Sequence, residues 1–125
     1  MAQPVSKILD LSPAAPAAGA IDRDHLARMT FGDRNLECEV LQLFDRQAGL
    51  LLARMRDSAP PAVVTLAHTL KGSAASIGAT SVVHAAEAVE QAASAAERDL
   101  ALGKLTTAID EARAAIAGLL GPLQG

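Results

Sequence analysis

The chain has 125 residues, half of them apolar, with Phe31 and Phe44 as its only aromatic side chains and a formal net charge of −3. That length buries a single core without disulfides, and scarce aromatics with abundant alanine favour closely packed helices over a β-sandwich. A mildly acidic chain with no basic block lacks the electrostatic footprint of a nucleic-acid binder, and two rings offer little for base stacking.

Residues 1–19 read as a flexible, Pro/Ala-rich leader, and residues 20–125 as one helical domain. Pro4, Lys7, Asp10, Pro13 and Pro16 interrupt any signal-peptide core. No run approaches the roughly 20 apolar residues of a membrane span. Cys38, the only cysteine, excludes an internal disulfide, suits a reducing compartment and reads as a small buried filler. The expectation is a soluble, cytoplasmic protein.

Asp22 can cap a short first helix with Leu26 and Met29 on its apolar edge, closed by Phe31-Gly32. Asp33 can cap the next and longest helix, whose positions Leu36, Val40, Leu43, Phe44, Leu51 and Met55, with Gln47 as a polar intruder, step by three or four. The segment Asp57-Ser58-Ala59-Pro60-Pro61 ends it and starts a third helix, which runs to Ile77 and stops at Gly78. Thr80 can cap a fourth, with a stripe of small residues at Val82, Ala86, Val89 and Ala93. A fifth spans about 99–120, buries Leu102, Leu105, Ile109, Ala112, Ile116 and Leu119, and halts at Gly121-Pro122. The predicted fold is all-α: an antiparallel up-and-down four-helix bundle with a short additional N-terminal helix.

At about 100° per residue, Val63, Leu66, Leu70, Ser73, Ala74 and Ile77 share the core side of the third helix. His68 points the other way, with Val64, Lys71, Gly72 and Ala75 around it. A glycine in an exposed helix interior costs roughly 1 kcal/mol relative to alanine. In so alanine-rich a chain, Gly72 therefore marks a place where another surface comes close, and Ala75 keeps the next turn low. Lys71, at i+3 from His68, can offset the charge of a phosphoryl group on the imidazole, and a neutral imidazole is a competent nucleophile near neutral pH. Together these residues describe a phosphorylatable histidine that must meet a second protein.

The run His68-Thr69-Leu70-Lys71-Gly72-Ser73-Ala74-Ala75-Ser76-Ile77-Gly78 resembles the signature of histidine-containing phosphotransfer (HPt) domains: His-x-x-Lys-Gly, two small residues, then an apolar residue and glycine. The resemblance extends over residues 21–120. Leu41-Gln42-Leu43-Phe44-Asp45-Arg46-Gln47 with Leu50-Leu51-Leu52 is similar to the family's second helix, and the segment from His84 to Glu90 to its fourth.

The resemblance implies that His68 takes a phosphoryl group on Nε2 from the aspartyl phosphate of one receiver domain and passes it to the aspartate of another. Lys71 would steady the phosphoryl oxygens, and Gly72 and Ala75 would clear space for the receiver. Most of the reaction is then positioning and charge neutralisation. Glu90, with Gln91 beside it, is the candidate to hold Nδ1 of the imidazole; a solvated surface acid is the other reading of Glu90. The first and second helices would supply a docking patch from Leu26, Met29, Phe31 and Val64; each of the four fits the core equally, and for Leu26 and Phe31 the core is the favoured place.

The implied partners are receiver domains of response regulators and hybrid histidine kinases. They would bring the Mg²⁺, so that this chain needs no cofactor, and a monomer is expected. A histidine-kinase dimerisation domain would carry an acid directly after the histidine, where this chain has Thr69, and no nucleotide-binding segment is present, so kinase activity of its own is not expected. His25, His68 and His84 lie on three different helices and no Glu-x-x-His occurs, so no metal site is expected. The alternative function is a docking or adaptor module that binds a receiver or histidine kinase without carrying phosphate.

Overall fold

A computed structural model describes residues 20–121, and the predicted 1–19 leader lies outside them. Five helices occur among the described residues, with no strand: α1 (Arg23–Met29), α2 (Arg34–Arg56), α3 (Pro60–Ile77), α4 (Thr80–Gln91) and α5 (Ala95–Leu120). The caps explain most of the boundaries. Asp22 accepts from the His25 amide to start α1, and Asp33 accepts from the amides of Asn35 and Leu36 to start α2. Pro60 opens α3, where its missing N–H costs nothing, and Gly78 ends it with a left-handed φ of 78°.

Consecutive helices pack on one another from α2 to α5, α5 returns to α2, and α1 lies against α3. Three polar ties run along the α2–α5 seam. Arg34 donates to the Leu119 carbonyl at 2.6 Å, Arg113 to Asp45 at 2.8 Å, and Arg56 to the Thr106 hydroxyl at 2.9 Å. Rising numbers on α2 meet falling numbers on α5, so these two helices run in opposite directions. Ala48, Ala67, Ala74, Ala86 and Ala112 are wholly buried beside Leu41, Leu70 and Leu105. Side chains this small let helix axes approach closely, which is how a chain nearly without aromatics fills its interior.

The first helix is pinned to the end of the third. The Asp22 amide donates to the Gly78 carbonyl at 2.8 Å, and Ile21 and Leu26 bury against the core. Thr30, the buried polar side chain at the end of α1, donates its hydroxyl to the Leu26 carbonyl at 2.9 Å. Phe31 and Gly32 follow with φ of 56° and 73°, a pair of left-handed residues that turns the chain into α2.

Several sequence expectations are corrected. On α2 the buried stripe is Leu41, Phe44, Ala48, Leu51, Leu52 and Met55, while Leu43 is exposed and Leu36, Val40 and Gln47 are half-buried. On α3, Ala67 takes the buried place expected for Ser73, and both Leu66 and Ser73 are half-buried. Thr80 is the first residue of α4 rather than its cap: Ala79 precedes the helix without a side-chain bond, and Thr80 donates to the Gly78 carbonyl. Ala93 lies beyond the end of α4 and is exposed.

The fifth helix begins four residues earlier than expected, because Ser94 accepts from the Glu97 amide while Glu97 accepts from the Ala93 amide. That reciprocal pair is close to the capping box that Ser-x-x-Glu signals. On α5, Leu102 and Leu119 are half-buried, and Ala101 and Ala108 join the core instead. Cys38 is half-buried rather than a buried filler. No helix among the described residues is long and apolar enough to cross a membrane.

Candidate functional site

Val63, Ala67, Leu70, Ala74 and Ile77 anchor one side of α3 in the core. That anchoring turns the opposite side, with Val64, His68, Gly72 and Ala75, outward to solvent. The His68 side chain is 72% exposed. A Cβ added at Gly72 would meet nothing within 4 Å, so no contact within the fold requires glycine there.

Lys71 leans from this face toward α4, where Val82, Ala86 and Val89 are buried and Glu90 stands at the edge of the packing. Glu90 reaches both His68 and Lys71 of α3. Its Oε2 lies 2.8 Å from Nδ1 of His68 and its Oε1 lies 2.6 Å from Nζ of Lys71. The hydrogen bond and charge of Lys71, with the bond to His68, hold the Glu90 carboxyl below the usual carboxylate range against a modest desolvation. The bond from Glu90 in turn raises the Lys71 ammonium, to which the charge of Glu87 adds.

An ionised carboxylate only accepts hydrogen bonds. The 2.8 Å contact therefore assigns a proton to Nδ1 of His68, and in the neutral ring the lone pair is then on Nε2, the nitrogen away from Glu90. The arrangement can direct that lone pair at an electrophile arriving from solvent, with the Lys71 cation one turn away, held by Glu90.

The remaining predicted site residues separate. Gln91 is exposed and lines a different cleft, with Ala88, Glu97, Leu100 and Lys104, so it is not brought to the imidazole. Leu26 is 1% exposed and is core, not docking surface. Phe31, for which the core was the favoured place, is instead 89% exposed, because the left-handed turn carries its ring away from the bundle, and Met29 and Val64 are exposed as well. His84 is exposed, whereas His25 is half-buried with its Nε2 unpartnered, beside Asp22 and Thr80. No group of three or more His, Cys, Asp or Glu among the described residues could hold a metal ion.

Sequence reasoning missed a groove of about 230 Å³ between α1, α2 and α3, walled by Met29, Leu36, Val40, Leu43, Ser73 and Ser76. On α3 it is walled by Ser73 and Ser76, which follow Gly72 in the chain. Its signal lay in α2: with Leu41, Phe44, Ala48 and Leu51 turned inward, Leu36, Val40 and Leu43 form a second apolar stripe beside the first.

The fold and this face define a class: a helical protein that exposes one oriented histidine on a helix otherwise fixed by its core. The family follows from comparison, because the model of the Hpt domain matches residues 39–116 and the chain belongs to that family. The match takes in α2 from residue 39 onward, His68, Lys71, Gly72 and Glu90 and leaves α1 outside. Hpt domains serve histidine phosphotransfer in two-component phosphorelays and interact there with receiver domains. No curated relative and no solved structure matched the chain.

Proposed function

We propose that this protein is a phosphorelay intermediate in which Nε2 of His68 takes a phosphoryl group from the aspartate of one receiver domain and gives it to another. The observation that carries the reading is the Glu90–His68 contact: a 2.8 Å bond at Nδ1 on a ring that is 72% exposed. A solvated surface histidine has no need of a carboxylate from the next helix to fix its tautomer. Lys71 is within a side-chain swing of the phosphoryl oxygens, and Gly72 with Ala75 clears the approach. A loose phosphoryl-transfer transition state asks for positioning and charge neutralisation, and these residues supply both.

Docking falls to Val64, Met29 and Phe31 with the adjoining groove, an apolar centre of the kind that transient interfaces use. The receiver brings the Mg²⁺, so this chain works without a cofactor or kinase activity of its own, in the cytoplasm and as a monomer. The four long helices form an antiparallel up-and-down bundle with α1 as an addition. The short connections between them and the opposed α2 and α5 support that topology.

The test mixes wild type and His68→Gln with a panel of phosphorylated receiver domains and follows acid-labile, base-stable phosphate. Label on wild type alone is expected. Binding to receivers without label on either protein would replace the relay with the docking-module reading.

A further inference from the structure

The groove between α1, α2 and α3 has the chemistry of a slot for aliphatic side chains. Met29 on α1 and Leu43 on α2 stand 50% and 58% exposed in its walls, and Leu36 and Val40 are half-buried there. No charged residue lines it. Two of its hydroxyls are turned to their own helices, Thr30 donating to the Leu26 carbonyl and Ser76 to the carbonyls of Gly72 and Ser73. A slot of about 230 Å³ with such walls selects an apolar guest over a polar one.

The chain itself carries a segment of matching chemistry. Residues 1–19 precede the described part of the chain, and apart from Met1 their large apolar side chains fall in one run, Val5-Ser6-Lys7-Ile8-Leu9-Asp10-Leu11. Val5, Ile8 and Leu9 stand at i, i+3 and i+4, the spacing by which a helical segment presents anchors to an apolar groove. Pro4 suits the first position of such a turn, and Ser12-Pro13 stops it. We propose that residues 5–11 dock in the groove between α1, α2 and α3 of their own chain, where an incoming receiver displaces them. The displacement rests on the phosphorelay reading; the docking does not.

The tether reaches. Ile21 is buried and the Asp22 amide is fixed to the Gly78 carbonyl, so the chain enters beside the end of α3. The groove lies one short helix away, since α1 has seven residues, about 10 Å of helix, and walls the groove from Leu26 onward. Residues 12–19 span up to about 25 Å when extended. A tether of that length holds the segment at an effective concentration of about millimolar, so a contact too weak to join separate molecules fills the groove within one. The same weakness lets a receiver displace it, with an apparent affinity lowered by the fraction of grooves that stand free. The family match begins at residue 39, so the segment and the α1 wall of the groove both belong to the part of the chain outside it.

The chain has no tryptophan, so Leu9→Trp in the full-length protein reads the segment directly. Its emission should lie to the blue of that of a free 1–19 peptide with the same substitution. It should move back to the red when Leu43→Asp or Met29→Asp is added, and when a receiver is titrated in. Leu43 and Met29 are exposed, so either change should leave helix content by circular dichroism as it was. Ile8→Asp combined with Leu9→Asp should tighten receiver binding by roughly three- to tenfold. Emission like that of the free peptide, or emission that ignores both groove substitutions, would overturn the proposal. A blue shift that grows with protein concentration would overturn it as well, because the segment then sits on a second copy. Receiver binding unchanged by the paired aspartates would overturn the displacement. If no receiver binds any form, the relay reading fails, and the emission still decides whether residues 5–11 dock.

Discussion

Lys71 and Glu90 are joined at 2.6 Å between Nζ and Oε1, so the lysine one turn from the candidate phosphoacceptor is already engaged before any phosphoryl group arrives. The pair stands at the surface, Lys71 being 27% and Glu90 15% exposed in their side chains. It can open without disturbing the core.

Lys71→Ala should slow phosphoryl transfer more than it weakens receiver binding, if the proposed role of its ammonium at the phosphoryl oxygens holds. Rapid-quench transfer kinetics beside a binding titration separate the two. Equal losses in both would make Lys71 a docking residue.

The same pair gives stability a defined pH dependence. Glu90 is held below its ordinary value of 4.5, so its contribution is complete above that pH and is lost as pH falls through the depressed folded value. Lys71 is raised above 10.5, so its contribution is complete below that pH and is lost as pH rises through the folded value. The Tm difference between wild type and Glu90→Gln should shrink as pH falls through the depressed value of Glu90 and again as pH rises through the raised value of Lys71. Exposure keeps the amplitude small. A difference that changes sign near neutrality would contradict the assignment.

At Gly72 stability and function should move apart. Gly72→Ala should stabilise the fold by roughly 0.5–1 kcal/mol, because the added methyl meets nothing and the helix gains propensity. Gly72→Glu should leave folding nearly intact while blocking receiver binding. Denaturant melts and a binding titration on the two variants decide this, and tight binding by Gly72→Glu would sink the clearance role.

Phe31 presents a ring to solvent from a left-handed backbone that a bulky side chain adopts only at a cost. Phe31→Asn should raise stability by about 1 kcal/mol through relief of that strain and lower receiver affinity through loss of the ring. A variant that is both more stable and unimpaired in binding would remove Phe31 from the docking surface.

Gly78 is the stability-critical counterpart. A Cβ there would stand 2.9 Å from both the Cβ and the carbonyl oxygen of Asp22, on a residue with φ of 78°. Gly78→Ala should cost about 2 kcal/mol or more, as strain and clash add, and should loosen α1 from α3. Amide exchange at Asp22, whose N–H donates to Gly78, reports that directly.

Much of this was legible along the chain because helices announce themselves locally. Asp22, Asp33, Pro60 and Gly78 act through contacts within a turn, and their boundaries followed from residue type. The outward turn of His68, Gly72 and Ala75 followed from helical period alone. Where two apolar positions competed for one face, period could not choose: Leu43 is exposed and Leu41 buried because α3 and α5 settle which edge of α2 points inward. Leu26 and Phe31 offered the same ambiguity: the packing of α1 against α3 buries Leu26, and Phe31 stands exposed in the left-handed turn after Thr30.

The sequence by itself determined an all-helical chain with one histidine set apart on a cleared face, since propensity, capping and period are properties of neighbours in the chain. Only the tertiary structure decided that Glu90, and not Gln91, holds that histidine, and that the same carboxylate binds Lys71. The reason is rotational: residues 90 and 91 differ by about 100° around α4, and which of them faces α3 depends on how Val82, Ala86 and Val89 seat that helix in the core.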